Sequence, residues 1–277
     1  MRLAWATDIH LNFLDAATRH RFYQSLGEDS DAVAISGDIA ESTDIEEYLR
    51  EMEESLKRPI FFVLGNHDFY RGSIGKTREA VARLAARSEH LVYLTAKDIV
   101  ELTPTTALVG HDGWADARLG DFQNSNVILN DYVLIEELCK WQVGHGLDEE
   151  DPGLDKESLA EALEVLGDEA GRHFERVLSE AVEKYANVIA VTHVPPFREA
   201  TWHEGRTSDE NWLPHFSCKA VGDAMLRVMG SNPQCNLLVL CGHTHGAGEA
   251  NLLGNLKVLT GRAVYGSPTV QRVFEVV

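Results

Sequence analysis

Ile60-Phe61-Phe62-Val63-Leu64-Gly65-Asn66-His67-Asp68 sets the pattern of this chain. Five apolar residues run unbroken and stop at a glycine followed by an amide, an imidazole and a carboxylate. The run is short for a helix and lacks the alternation of a half-exposed strand, so it reads as a strand buried on both faces. The arrangement recurs. Residues 3–6 lead to Asp8 and His10, residues 32–35 to Gly37-Asp38, residues 188–191 to His193, and residues 237–241 to Gly242-His243-Thr244-His245. Helical periodicity fills the spaces between, over residues 15–26, 44–56, 73–87 and about 156–185. In the last of these, Leu159, Leu163, Leu166, Ala170, Phe174, Val177, Ala181 and Tyr185 step by three or four, and Gly167 and Gly171 are expected to weaken or bend the helix. Strands alternating with helices predict an α/β domain.

In such sheets, ligands gather beyond the carboxyl ends of the strands, which is where the polar clusters fall. Asp8 and His10 are two residues apart, as are His243 and His245. In an extended segment residues i and i+2 point the same way, so each pair is expected to aim both side chains at one point. Two carboxylates, four imidazoles and the Asn66 amide then converge, with His67 to spare. That nitrogen and oxygen set suits Mn, Fe, Zn, Co or Ni better than Ca or a thiolate-bound ion.

Further short runs at residues 99–102, 106–109, 252–253, 257–259 and 270–277 look like a β meander and predict a second sheet packed on the first. Two segments, about 111–155 and 195–216, lack clear period. They are expected to be insertions in one domain spanning residues 1–277, building a wall around a small substrate.

The chain has 277 residues and a formal net charge of −19. That acidity argues against a broad grip on DNA or RNA, which needs clustered Lys and Arg, and against anionic membrane surfaces. No apolar stretch reaches the roughly 18 residues of a spanning helix, and Asp8 comes too early for a signal peptide, so a soluble cytoplasmic protein is expected. The four cysteines form no C-x-x-C pair.

Taken together, Asp8-x-His10, Gly37-Asp38, Gly65-Asn66-His67-Asp68, the lone His193 and Gly242-His243-x-His245 resemble the calcineurin-like metallophosphoesterases. All five blocks occur in that family's order. The resemblance implies a four-layer α/β/β/α sandwich, two mixed sheets flanked by helices, with two divalent metal ions at the strand ends. It implies that Asp8, His10, Asp38 and His245 hold one ion and that Asp38, Asn66, His193 and His243 hold the other, Asp38 bridging. His67 binds no metal in that family and stabilises or protonates the leaving oxygen. The implied reaction is hydrolysis of a phosphomonoester or phosphodiester of a small molecule, by in-line attack of a metal-bridging hydroxide. Two divalent ions outweigh two carboxylates and a hydroxide, so the centre attracts phosphate despite the overall acidity.

Asn66 is a candidate substrate contact as well as a ligand. Arg71, four residues after His67, is a candidate phosphate contact, and His111 and His203 are candidates to line the site. Glu41 or Asp68 is the expected carboxylate partner that raises the His67 pKa. Two departures narrow the family. Where phosphoprotein phosphatases carry an Asp-Arg pair, this chain has Glu41-Ser42. Where lipid A-pathway hydrolases carry Arg, it keeps His67. The alternatives are a nuclease of the same superfamily, which needs a basic groove, and a metal-free protein-interaction scaffold. His20, His90, His145 and His173 read as surface or core residues, and residues 148–151 as a solvated acidic face or helix lead-in. No feature of the sequence specifies an oligomeric state.

Overall fold

A computed structural model of the chain describes residues 1–143 and 153–277. The expectations for His145 and for residues 148–151 lie outside the described residues. The strands are β1 (Arg2–Ala6), β2 (Ala32–Ser36), β3 (Ile60–Val63), β4 (Leu91–Tyr93), β5 (Val100–Thr103), β6 (Thr106–His111), β7 (Gln142–Val143), β8 (Gly153–Leu154), β9 (Asn187–Thr192), β10 (Trp202–His203), β11 (Arg206–Thr207), β12 (Asn236–Cys241), β13 (Gly248–Leu253), β14 (Leu256–Thr260) and β15 (Arg272–Glu275). The helices are α1 (Ala16–Gly27), α2 (Ile45–Leu56), α3 (Ile74–Ala85), α4 (Asp131–Leu134), α5 (Lys156–Ala181), α6 (Leu213–Phe216) and α7 (Lys219–Ser231).

One sheet has the order β15-β1-β2-β3-β4 and the other β13-β14-β12-β9-β6-β5. Both are mixed. Their central strands run parallel, while β15 pairs antiparallel with β1, β13 with β14, and β5 with β6. The two-residue period of a strand divides each apolar run between two layers. Leu3, Trp5, Ala32, Ala34, Phe61 and Val63 pack against Leu108, Ile189, Val191, Leu240 and Leu259 between the sheets. Their neighbours Ala4, Ala6, Val33, Ile35 and Phe62 turn outward onto α1, α2 and α3. On the far side, Val188, Ala190, Val239 and Val258 meet α5 and α7. The result is the expected four-layer α/β/β/α sandwich, and it explains why the central runs are apolar throughout.

Local signals fix the helix starts. Asp15 accepts the backbone N–H of Thr18 at 2.7 Å, Ser73 that of Lys76 and Asp155 that of Ser158, each capping the helix that follows. Among the described residues no helix is long and apolar enough to cross a membrane.

Several details differ from the sequence reading, which had neither β4 nor α7. The final strand does not extend the second sheet but returns to pair with β1 in the first, aligning Arg2 with Glu275 and Trp5 with Arg272. The second sheet also takes β9 and β12, so the five strands that carry the polar clusters are shared between both sheets. Gly167 and Gly171 lie buried within one continuous helix. Their role is close approach: a Cβ at Gly167 would overlap the Cβ of Asp116, and one at Gly171 would reach 3.0 Å from the Ala220 carbonyl. Helix α5 therefore packs tightly on α7 and on the loop that carries Asp116.

Candidate metal centre

The strands stop just short of the polar clusters, and the chain then turns sharply. Asp8, His10, Asp38, His243 and His245 all have positive φ, between 41° and 70°. This corrects the reason given above for their convergence. They are held beyond the strands in left-handed turns, a conformation that Asp and His adopt more readily than most residues but that still carries strain. Surrounding bonds hold the turns in place. Asp8 N donates to the Gly37 carbonyl at 3.1 Å and His10 N to the Asp38 carbonyl at 2.9 Å, linking the ends of β1 and β2. Gly242 N donates to the His193 carbonyl at 2.9 Å, linking the ends of β12 and β9.

Two groups of ligand atoms result. In the first, one atom each from Asp8, His10, Asp38 and His245 lie within 4.8 Å of one another. His10 Nε2 and His245 Nε2 face each other at 3.4 Å, and His245 Nε2 is 3.4 Å from Asp8 Oδ1. In the second, Asn66 Oδ1 is 3.0 Å from both His193 Nε2 and His243 Nδ1, and those two nitrogens are 3.2 Å apart. Asp38 lies between the groups. Its Oδ1 is 3.4 Å from His193 Nε2, and its Oδ2 is 3.8 Å from His10 Nε2.

The outer atoms of these side chains fix which atom faces in. His193 Nδ1 lies 2.9 Å from the Ser36 carbonyl, and His243 Nε2 lies 2.9 Å from the His215 carbonyl. A carbonyl only accepts, so each of those nitrogens carries the proton and the opposite nitrogen presents a lone pair. Asn66 Nδ2 donates to Asp131 Oδ1 at 2.8 Å and to the Tyr70 hydroxyl at 3.2 Å, which turns its carbonyl oxygen inward. Burial holds His10 and His243 down to about 3, so both imidazoles are neutral and able to ligate. Burial and the nearby Asp8 carboxylate push Asp38 well above the usual carboxylate range. Inward lone pairs packed around buried carboxylates are a donor set that fits divalent cations.

His67 stands beside this set. Its ring is 4.6 Å from that of His10 and 4.3 Å from that of Tyr70, and its Nε2 is 3.4 Å from the Tyr265 hydroxyl. Neither expected carboxylate is its partner. Asp68 is fully buried and accepts the backbone N–H groups of Ile39, Ala40 and Gly65 at 2.7–2.9 Å, clamping two of the strand-end loops together. Glu41 pairs with Arg71. Burial, helped by the charge of His193, lowers His67 to about 4.

Of the other candidates, His203 lines the cavity over the centre and its Nδ1 meets the Thr244 carbonyl at 3.1 Å. Arg71 is outside that lining, with its side chain 60 % exposed and engaged by Glu41. His111 is not at the site. It follows the outward register of β6 and is buried against His173 and Phe174 of α5, 4.0 Å from Glu169. The cavity measures about 290 Å³ and is lined from both aperiodic segments, by residues 128–131 and by His203 and Phe216. A larger cavity, of about 390 Å³, opens near the amino ends of β9 and β12 and near the C-terminus, away from these ligands.

Sequence reading missed four residues here: Tyr70, Asp131, His215 and Tyr265. Tyr70 is three residues after His67 and was open to the same block-by-block reading. Asp131 and His215 lie in the aperiodic segments, and Tyr265 in a loop without pattern.

The family model for calcineurin-like phosphoesterases matches residues 1–247. The chain belongs to that family. Calcineurin-like phosphoesterase architecture also appears in solved structures. The phosphopantetheinyl hydrolase of Mycobacterium tuberculosis is similar at a TM-score of 0.66 and 15 % identity, over 95 % of this chain and 89 % of that one. A dimetal phosphatase from Danio rerio is similar at a TM-score of 0.55 and 14 % identity, over 98 % of this chain and 88 % of that one. At such identities these two structures speak to the fold alone. No curated protein matches the chain.

Proposed function

We propose that the chain is a dinuclear metal-dependent phosphoester hydrolase acting on a small molecule. The observation that carries this is the placement of Asp38, with one carboxylate oxygen toward His193 and the other toward His10. A single carboxylate shared by two donor groups is what a two-ion site requires. Asp8, His10 and His245 complete one group, and Asn66, His193 and His243 the other. Two such ions would supply Lewis acidity toward a phosphoryl oxygen and a nucleophile at neutral pH.

The chain's own residues do the rest. Asp38 and Asp8 balance the charge of the ions. His67 touches neither donor group closely enough to be a ligand, and its neutral imidazole offers an N–H to a phosphoryl or leaving oxygen. An anionic substrate beside it favours the protonated ring, so the substrate itself prepares the proton donor. The aperiodic segments 111–155 and 195–216 supply the walls. A cavity of about 290 Å³ is at the small end of ligand sites, and the net charge of −19 disfavours long polyanions.

The experiment is a panel of phosphomonoesters and phosphodiesters, including 4-nitrophenyl and bis(4-nitrophenyl) phosphate, assayed with defined divalent metals. The expected result is hydrolysis that a chelator abolishes and that Mn, Fe, Zn, Co or Ni restores. Bound metal without hydrolysis of any ester contradicts the proposal, and no bound metal at all supports the scaffold alternative.

A further inference from the structure

We infer that the organic part of the substrate is a planar, uncharged ring attached to a single phosphoryl group. The inference rests on the phosphoesterase reading above and concerns the cavity that covers the two donor groups.

The first observation is charge. Among the described residues, fourteen line the cavity, none of them Lys or Arg. The cation closest in sequence to the site, Arg71, is outside the lining and is held by Glu41. Apart from the proton that His67 takes for the leaving oxygen, positive charge in the cavity would come from ions at the donor groups, which serve one phosphoryl group. A second phosphate or a carboxylate on the substrate would find no Lys or Arg there and would face the Asp131 carboxylate, which is buried in the lining. Burying an unpaired charge is strongly unfavourable.

The second observation is the walls. Tyr265 lies 4.5 Å from the His10 ring, 5.1 Å from His245 and 5.2 Å from Phe13. Phe216 packs at 5.2 Å on His243, at 5.4 Å on His203, and stacks on Trp212 at 5.1 Å. Aromatic groups thus flank both His243 and His245. Phe13, Tyr265 and Ile128 are about half exposed, although most large apolar side chains of the fold are buried. Exposed aromatic faces gathered beside a polar centre fit an apolar group bound together with a charged one. A flat ring uses those faces best, because ring pairs gain energy beyond the area they bury.

The test compares binding, so that the chemical reactivity of different leaving groups plays no part. Metal-loaded protein is titrated calorimetrically with methylphosphonate, benzylphosphonate and 3-phosphonopropionate. Benzylphosphonate is expected to bind about tenfold more tightly than methylphosphonate, and 3-phosphonopropionate no more tightly than methylphosphonate. Tyr265→Ala, at a half-exposed position in the lining, is expected to cut the ring preference to below about threefold. Equal affinity for all three ligands, or tightest binding of the carboxylate-bearing one, overturns the inference. If esters are hydrolysed in a metal-dependent way but no ring preference appears, the inference fails and the phosphoesterase reading stands. If the ligands bind but no ester is hydrolysed, both fail.

Discussion

Asn66 Nδ2 donates to Asp131 Oδ1 at 2.8 Å. The carbonyl oxygen of the same amide then lies 3.0 Å from both His193 and His243. Without Asp131, the NH2 and carbonyl ends of Asn66 would compete for the inward position. Asp131 also accepts the Tyr70 hydroxyl at 2.8 Å, so the orientation is doubly fixed. Asp131→Ala is expected to weaken the ion held by Asn66, His193 and His243 by about 10–100-fold, the range seen for residues that orient ligands. The group formed by Asp8, His10 and His245 should keep its ion. Metal titration followed by elemental analysis measures this, and unchanged affinity for both ions would rule out the orienting role.

His67 makes no part of either donor group, yet it faces the cavity. His67→Ala should therefore retain the full metal content while kcat falls by about 10²–10⁴-fold, the range for general acid–base groups. KM should change much less than kcat. Loss of metal in this variant would mean that the ring is a ligand after all.

Arg71 is paired with Glu41 and is not among the lining residues. Its guanidinium is open to solvent, which screens the pair, so the pair contributes about 0–1 kcal/mol. Arg71→Ala is expected to leave kcat/KM within about threefold of the parent. A much larger drop, with metal content intact, would return Arg71 to the role of phosphate contact suggested by its position after His67.

Gly167 packs against Asp116, whose carboxylate accepts the backbone N–H groups of Lys219 and Ala220 at the start of α7. Gly167→Ala must push that carboxylate away or separate the helices. A loss of about 1–3 kcal/mol is expected, as for other overpacked sites. Urea denaturation reads it as a lower midpoint at unchanged slope, and a midpoint equal to the parent's contradicts the close-packing account.

The side chains that converge at the strand ends were legible because they fall directly after buried strands, where an apolar run makes a following Asp, Asn or His conspicuous. Most strands of the two large sheets and four of the five long helices were legible for the same reason, since burial imposes a period, but α7 and β4 were not read. What decides the geometry was not. The left-handed turns at Asp8, His10, Asp38, His243 and His245 leave no pattern in a sequence where those positions are not glycine. The supports Asp131 and His215 lie 65 residues from Asn66 and 28 from His243, in segments without period. His215 is itself held there by the hydroxyls of Ser125 and Tyr132 at 2.9 and 2.6 Å, which joins one aperiodic segment to the other. Contacts of that range depend on the completed fold. The return of β15 to β1 escaped detection because a short strand has the same alternation in either sheet. His111 was misplaced because the sequence did not reveal which face of β6 it occupied.

Under the proposed function, Asp38 holds two ions at once. The direct measurement is the number of bound metal ions per chain, by elemental analysis after loading and removal of free metal, in the parent protein and in Asp38→Asn, with bis(4-nitrophenyl) phosphate hydrolysis followed in parallel. The account predicts two ions per chain in the parent, loss of at least one in Asp38→Asn, and a fall of hydrolysis to the metal-free level. An Asp38→Asn protein that keeps two ions and the parent's rate would contradict it.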